Sequence, residues 1–331
     1  MSVLTAIIFV ILGFALLYYG GDWMVLGSIR LAARVGVAPV VIGLTVVAFG
    51  TSLPELLVSM LSALQGLSVV AVGNILGSDI FNLCLIVGVS AILANPLEGS
   101  PAVARRDMNI LIGGMILFGI LGRDLVFDRT DGIILTIVFS IYMFITVRYP
   151  ASDDTDAEVL EALEEIDGEP EDHPENSAQM AKHLATEPYI KYILLGILTL
   201  PIGAELLVRG GVALATMAGI SQRFVAMTLV SWGTSLPEMA TSLAAAYHGH
   251  AGLCIGNVVG SNLFNTVCIM GLTSMTTNVT MLKESFGFDF GLACIATIML
   301  AVLHRGGRNI TRAGGCILLA GFVTMFILLS L

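Results

Sequence analysis

Charge is what this sequence has least of. Only 12% of its 331 residues are Asp, Glu, Lys or Arg, while 56% are hydrophobic and the mean hydropathy is +0.92. A chain so poor in charge cannot cover one core with a water-facing surface, which excludes an ordinary soluble domain. Histidine is scarce as well. Its five copies (His173, His183, His248, His250, His304) lie in one polar interval or at the ends of apolar runs, and neither HExxH nor GxSxG occurs, which argues against an intramembrane hydrolase. The five cysteines (Cys84, Cys254, Cys268, Cys294, Cys316) are odd in number, lack metal-type spacing and all fall in apolar stretches, so they read as small core residues. Basic residues are missing from the opening MSVLTAIIFVILGF, which reads as a retained first helix because a secretory signal needs a basic n-region.

What is present is apolar length. Runs able to cross a bilayer core of about 30 Å recur ten times, at 3–31, 37–64, 69–95, 107–122, 131–149, 189–217, 222–247, 252–276, 286–303 and 313–331. This predicts an all-α membrane protein of ten transmembrane helices. Between the fifth and sixth runs lies SDDTDAEVLEALEEIDGEPEDHPE, whose stretch from Asp153 to Glu175 holds 12 of the 25 acidic residues behind the net charge of −10. It reads as a solvated linker with a short helix over Glu158–Ile166. A regulatory calcium site is the sharper alternative, although the interval has no glycine-centred EF-hand loop.

Shifting the sequence by 183 residues places Gly50-Thr51-Ser52-Leu53-Pro54-Glu55 on Gly233-Thr234-Ser235-Leu236-Pro237-Glu238. Without a gap, the same shift pairs Gly73-Asn74 with Gly256-Asn257, Gly77-Ser78 with Gly260-Ser261, Phe81-Asn82 with Phe264-Asn265, and Asp22 with Glu205. From position 50 to 82, 15 of 33 residues are identical to their shifted partners, too many for two helices that merely share a composition. Five spans in each half require the second half to enter from the opposite side. The expected organisation is therefore a first five-helix repeat at 1–150, an acidic cytoplasmic linker at 151–187 and an inverted second repeat at 188–331, with helices 2 and 7 interrupted. Interrupted helices at matching places in inverted repeats are a signature of secondary transporters.

The distribution of positive charge sets the expected orientation. With the N-terminus outside, the inner side receives Arg30, Arg34, Arg105, Arg106, Arg148, Lys182, Lys191, Arg305, Arg308 and Arg312. The outer side receives Arg123, Arg129, Arg223 and Lys283. Both termini outside and the linker inside is the arrangement this favours.

Chemistry concentrates in the repeated letters. Within a helix, Pro54 gives no N–H to the Gly50 carbonyl and pushes it aside, so backbone oxygens around Val47–Thr51 should be freed at membrane depth, where only protein, water or an ion can satisfy them. Thr51 and Ser52 add hydroxyls, and Glu55 projects from the same face; Thr234, Ser235, Pro237 and Glu238 repeat the arrangement. Asn74, Ser78 and Asn82, spaced by four, make one polar stripe, and Gly73 and Gly77 permit close helix approach. A glutamate deep in a membrane helix is costly and marks function. Two of them beside hydroxyl, amide and carbonyl oxygens match the six to eight oxygen ligands of a hard cation such as calcium.

At these residues the sequence resembles the sodium/calcium exchanger family of the calcium/cation antiporter superfamily, in its prokaryotic form with two alpha-repeats. GTSLPE followed by GN(I/V)(L/V)GS(D/N)(I/L)FN, twice, carries the likeness. The resemblance implies a transporter rather than an enzyme, exchanging calcium for sodium across the cell membrane by alternating access. Its partners are calcium, sodium and membrane lipid, with no nucleic acid and no cofactor, and a monomer is expected. It further implies that Glu55 and Glu238 hold calcium, assisted by the backbone oxygens of Thr51 and Thr234. Ser52, Ser78, Ser235 and Ser261 would flank them as sodium ligands, with carbonyls from Val47 or Ala48 and from Val230 or Ser231, and with Asn82 and Asn265 at the centre. Some members have aspartate where this chain has Asn265, a departure that lowers the charge of the site. Asp79, opposite Asn262 in the repeat, either flanks the site or serves packing. Asp22 and Glu205 read as structural or access-path residues. A calcium/proton antiporter and a cation channel are the nearer alternatives; the Thr-Ser pair beside each glutamate favours sodium, because it offers monovalent ions neutral oxygens.

Overall fold

The computed structural model describes residues 1–94, 96–98, 106–149, 189–219, 232–281, 283–305 and 309–330. The acidic linker, Val230 and Ser231 lie outside the described residues, as does most of the first half of the span expected at 222–247. The described chain is predominantly helical. In the first half, α1 (Val3–Val35) is followed by α2 (Pro39–Ile42), a π-helical turn (Gly43–Val47), α3 (Ala48–Thr51), α4 (Leu53–Leu64) and α5 (Ser68–Ile80). A second π-helical turn (Phe81–Ile86) leads into α6 (Val87–Ala94), then α7 (Met108–Leu121) and α8 (Arg129–Arg148). The second half has α9 (Tyr189–Met217), a 3-10 turn (Gly233–Ser235), α10 (Leu236–Tyr247), α11 (Ala251–Leu263), a third π-helical turn (Phe264–Ile269), α12 (Met270–Thr276), α13 (Lys283–Leu303) and α14 (Arg312–Ser330).

Among the described residues, six helices are long and apolar enough to cross a membrane, or seven if the pair Pro39–Thr51 and Leu53–Leu64, bent by 45°, counts as one broken span. Ser68–Ala94 and Ala251–Thr276 run continuously through their π-turns and are the most enclosed of the six. The outer helices instead expose apolar side chains such as Ile11, Phe144, Leu198 and Ile298, a surface suited to lipid and costly in water.

Helices α1 and α9, equivalent under the 183-residue shift, cross as an antiparallel pair. Glycines one per two turns make this possible: a Cβ on Gly13 would lie 2.7 Å from the Leu207 nitrogen, and one on Gly203 would lie 2.9 Å from Leu16 Cβ. Gly20 meets Thr199 and Leu200, while Gly196 meets Met24 and the Gly20 carbonyl. Small residues let the two backbones approach where no hydrophobic drive exists between helices in lipid. The close approach expected of the GxxxG stripe is seen for Gly256 and Gly260, whose Cβ atoms would lie 2.5 Å from the Val40 carbonyl oxygen and 2.7 Å from that of Leu44. For Gly73 and Gly77 the matching segment, 220–231, lies outside the described residues.

Short β contacts tie the halves together at their rims. Strand β1 (Val126–Phe127) pairs antiparallel with β2 (Val279–Thr280), and Leu97 bridges Ile310; all but Val126 and Thr280 are buried. Each contact joins one residue from either half.

Candidate functional site

The GTSLPE motif folds differently from its reading as a proline kink within one helix. The chain breaks at Ser52 (φ −87°, ψ 8°) and at Ser235 (φ −88°, ψ 5°), two nearly identical conformations. Pro54 and Pro237 then fall in the first turn of new helices, where a missing N–H costs nothing. Glu55 and Glu238 sit in those same first turns, beside unbonded backbone N–H groups and the positive end of the helix dipole. The carbonyls of Val47 and Ala48 lie in the preceding π-turn and short helix. Both accept from Thr51 Oγ1, at 3.1 and 3.5 Å, and the Ala48 oxygen also accepts Ser52 N–H at 3.1 Å. Their second lone pairs are thus partly engaged, which the expectation of freed carbonyls does not include.

The two halves meet through reciprocal hydrogen bonds. Ser52 Oγ donates to Glu238 Oε1 at 2.7 Å, and its counterpart Ser235 Oγ donates to Glu55 Oε1 at 3.0 Å. Ser78 Oγ lies 2.9 Å from Ser235 Oγ. Each glutamate backbone is held by an asparagine of its own half and tied to a threonine of the other. Asn74 Nδ2 donates to Ser59 Oγ (3.0 Å) and the Glu55 carbonyl (3.4 Å), while its Oδ1 accepts from Thr234 (3.2 Å). Asn257 Nδ2 donates to Ser242 Oγ (2.8 Å) and the Glu238 carbonyl (3.4 Å), and its Oδ1 accepts from Thr51 (3.4 Å). Asn74 and Asn257 belong to the polar stripe of the sequence, which gives them no role of their own. Ser59 and Ser242 fall outside that stripe, and the only signal in the sequence that could have found them is that they too are 183 apart.

Asn82 and Asn265 are the second residues of their π-turns, each following an opening phenylalanine clamped in an aromatic cluster. Phe81 packs on Trp232 and Phe322, with centroids 5.8 and 6.0 Å away; Phe264 packs on Phe49 and Phe139 at 5.4 and 5.6 Å. π-turns inside α-helices frequently mark functional positions, and composition gives no cue to them.

Glu55, Glu238, Ser52, Ser235, Asn82, Asn265 and Ser261 are all fully buried. No arginine, lysine or histidine among the described residues offsets either carboxylate. Among the described residues, five oxygens here have no hydrogen-bond partner: Glu55 Oε2, Glu238 Oε2, Asn82 Oδ1, Asn265 Oδ1 and Ser261 Oγ. A buried unsatisfied acceptor costs about 1–3 kcal/mol, and a hard cation is the partner that answers several such oxygens at once.

The other repeated acids lie apart from this centre. Asp22 Oδ1 is 3.1 Å from His248 Nε2, and Glu205 pairs with Arg209 one helical turn away on α9. Beside His248, burial and that neighbouring histidine hold His250 down to about 4, so it is neutral near pH 7.

The sodium/calcium exchanger protein family matches residues 5–148 and 189–331, which is nearly all of both halves and leaves out the linker. The chain belongs to the sodium/calcium exchanger family. It is a membrane-embedded cation antiporter of a transporter family. A putative antiporter, CaxA of Alkalimonas amylolytica, is 32% identical over 97% of each chain. The sodium/calcium exchanger MaX1 of Methanosarcina acetivorans is 27% identical over 96% of this exchanger and 97% of its own length. Among solved structures, the sodium-calcium exchanger NCX_Mj soaked with 10 mM Na+ and no Ca2+ superposes with a TM-score of 0.79 at 30% identity, covering 98% of this chain and 99% of that one.

Proposed function

We propose that this exchanger moves calcium across the cell membrane against sodium by alternating access, using one centre built from Glu55, Glu238 and the oxygens around them. The observation that carries the proposal is the set of five unpartnered oxygens between two reciprocal Ser–Glu hydrogen bonds. Two carboxylates balance one divalent cation. Neutral hydroxyl, amide and carbonyl oxygens from Thr51, Thr234, Ser52, Ser235, Ser78, Ser261, Asn82, Asn265 and the 47–48 and 230–231 backbones complete the shells of calcium or of several sodium ions.

Ten spans in two inverted five-helix repeats, 1–150 and 188–331, joined by a cytoplasmic linker at 151–187 with both termini outside, form the matching architecture. Support for it comes from the antiparallel crossing of α1 with α9 and from contacts at the centre that recur under the 183-residue shift. Alternating access follows from this symmetry: two halves related by inversion can exchange conformations and so present the same centre to either side.

Calcium uptake into everted vesicles decides the counter-ion. An outward sodium gradient should drive uptake at fixed pH, and a pH gradient at equal sodium should not. Uptake driven only by the pH gradient would replace sodium with protons, and uptake needing no gradient of either would indicate a channel.

A further inference from the structure

Asp79 is fully buried next to Ser78, yet its carboxylate oxygens are not among the unpartnered ones. They turn to the opposite half: Oδ1 accepts Asn265 Nδ2 at 3.2 Å and Oδ2 accepts Thr266 Oγ1 at 2.7 Å. Asn262, the counterpart of Asp79 under the repeat, does the same in mirror fashion. Its Oδ1 accepts Asn82 Nδ2 at 3.0 Å, and its own Nδ2 is anchored on the Asp79 carbonyl at 3.3 Å. Both central asparagines therefore have the nitrogen end tied across the interface and the oxygen end without a partner among the described residues.

That polarity matters to a cation. An amide has an acceptor end and a donor end of nearly equal shape, so a half-turn replaces a ligand oxygen with an NH2 group that repels positive charge. Hydroxyls rotate to suit an ion, carbonyls are fixed by the backbone, and carboxylates have no wrong end. Of the donor types gathered here, only the amides need to be held. With Oδ2 accepting the Thr266 hydroxyl and Oδ1 turned to Asn265, Asp79 presents an acceptor oxygen that receives the amide nitrogen of Asn265 and disfavours its oxygen.

From this geometry we infer that Asp79, with its counterpart Asn262, is a positioning residue that holds the amide oxygens of Asn265 and Asn82 toward the transported cation. The inference rests on the cation centre proposed above and adds to it a means of setting ligand polarity from behind. Asp79 neither faces the ion nor serves packing alone.

The test compares the calcium concentration giving half-maximal uptake in vesicles for the parent, Asp79→Asn, Asp79→Leu and Asp79→Leu/Asn265→Asp, with insertion checked by size-exclusion profile. Asp79→Asn should stay within about twofold of the parent, because an amide oxygen at 79 can accept as Asn262 does for Asn82. Asp79→Leu releases the amide and should weaken the calcium response about tenfold, the effect of losing one buried hydrogen bond. Adding Asn265→Asp should recover the response to within about threefold, since a carboxylate needs no orienting. A purely packing role would leave the double variant as poor as the single one. An unchanged Asp79→Leu, an unrescued but folded double variant, or a calcium response in Asp79→Asn weakened as much as expected for leucine would each overturn the assignment; should leucine prevent insertion, Asp79→Ala takes its place in both arms. A parent that moved calcium against protons would sink the sodium reading while leaving these calcium affinities, and the role of Asp79 that they measure, intact.

Discussion

At Glu55 and Glu238 the balance of forces is plain. Each carboxylate is fully buried, receives one serine hydroxyl from the opposite half, and starts a helix whose N-terminal dipole favours negative charge by at most about 2 kcal/mol. These aids are small beside the several kcal/mol that burying an unpaired charge costs, and on the proposed reading a cation between the two acids supplies the missing compensation. Glu55→Gln or Glu238→Gln leaves a calcium ion half-compensated in low dielectric. Removing one partner of a buried charge set costs about 3–5 kcal/mol, at least a hundredfold in affinity at about 1.4 kcal/mol per decade. Both variants should insert normally and lose calcium uptake at concentrations that saturate the parent. Uptake within about twofold of the parent by either one would remove that glutamate from the centre.

At the scale of elements, the helices meet through glycine. The antiparallel pair α1 and α9 leaves no room for a side chain at Gly203, where a Cβ would sit 2.9 Å from Leu16 Cβ and 3.0 Å from both the Gly13 oxygen and the Leu17 nitrogen. Gly203→Leu should lower the melting temperature in detergent, since overpacking a tight interface costs about 1–3 kcal/mol or more, whereas Ile11→Leu on the lipid-facing side of α1 should leave it unchanged. Equal melting of both variants with the parent would mean that the two helices do not pack this closely. This interface also shows what can be read from letters alone. The 183-residue repeat, the apolar lengths and the oxygen-bearing residues of each half are legible, because repetition and residue type are properties of the string. That Ser52 serves Glu238 instead of its own Glu55 is not, because the pairing is decided by how α1 and α9 bring the halves together. The break at Ser52 reads as a kink at Pro54 because proline signals both a disrupted helix and the start of a new one. The π-turns at Phe81 and Phe264 leave no trace in composition.

For the whole molecule, what matters is that neither half is complete alone. The reciprocal Ser–Glu bonds, the amide ties from Asn82 and Asn265, the β1–β2 pairing and the Leu97–Ile310 bridge all run between residues before and after the acidic interval. The halves are therefore held by their own contacts, and the connector has only to span from one to the other. With 12 of its residues between Asp153 and Glu175 acidic, that interval has too little apolar surface to bury a core of its own. Replacing Asp153–Glu175 with a flexible Gly/Ser segment of equal length should keep sodium-driven calcium uptake in everted vesicles at the parent's rate and half-saturation, because such a chain still spans the gap. If the acidic side chains formed a regulatory calcium site, the replaced protein would instead keep its maximal rate but lose a dependence on calcium at the cytoplasmic side. Complete loss of exchange in a correctly inserted replacement would show that the interval helps assemble the two halves, and that the contacts seen between them are insufficient by themselves.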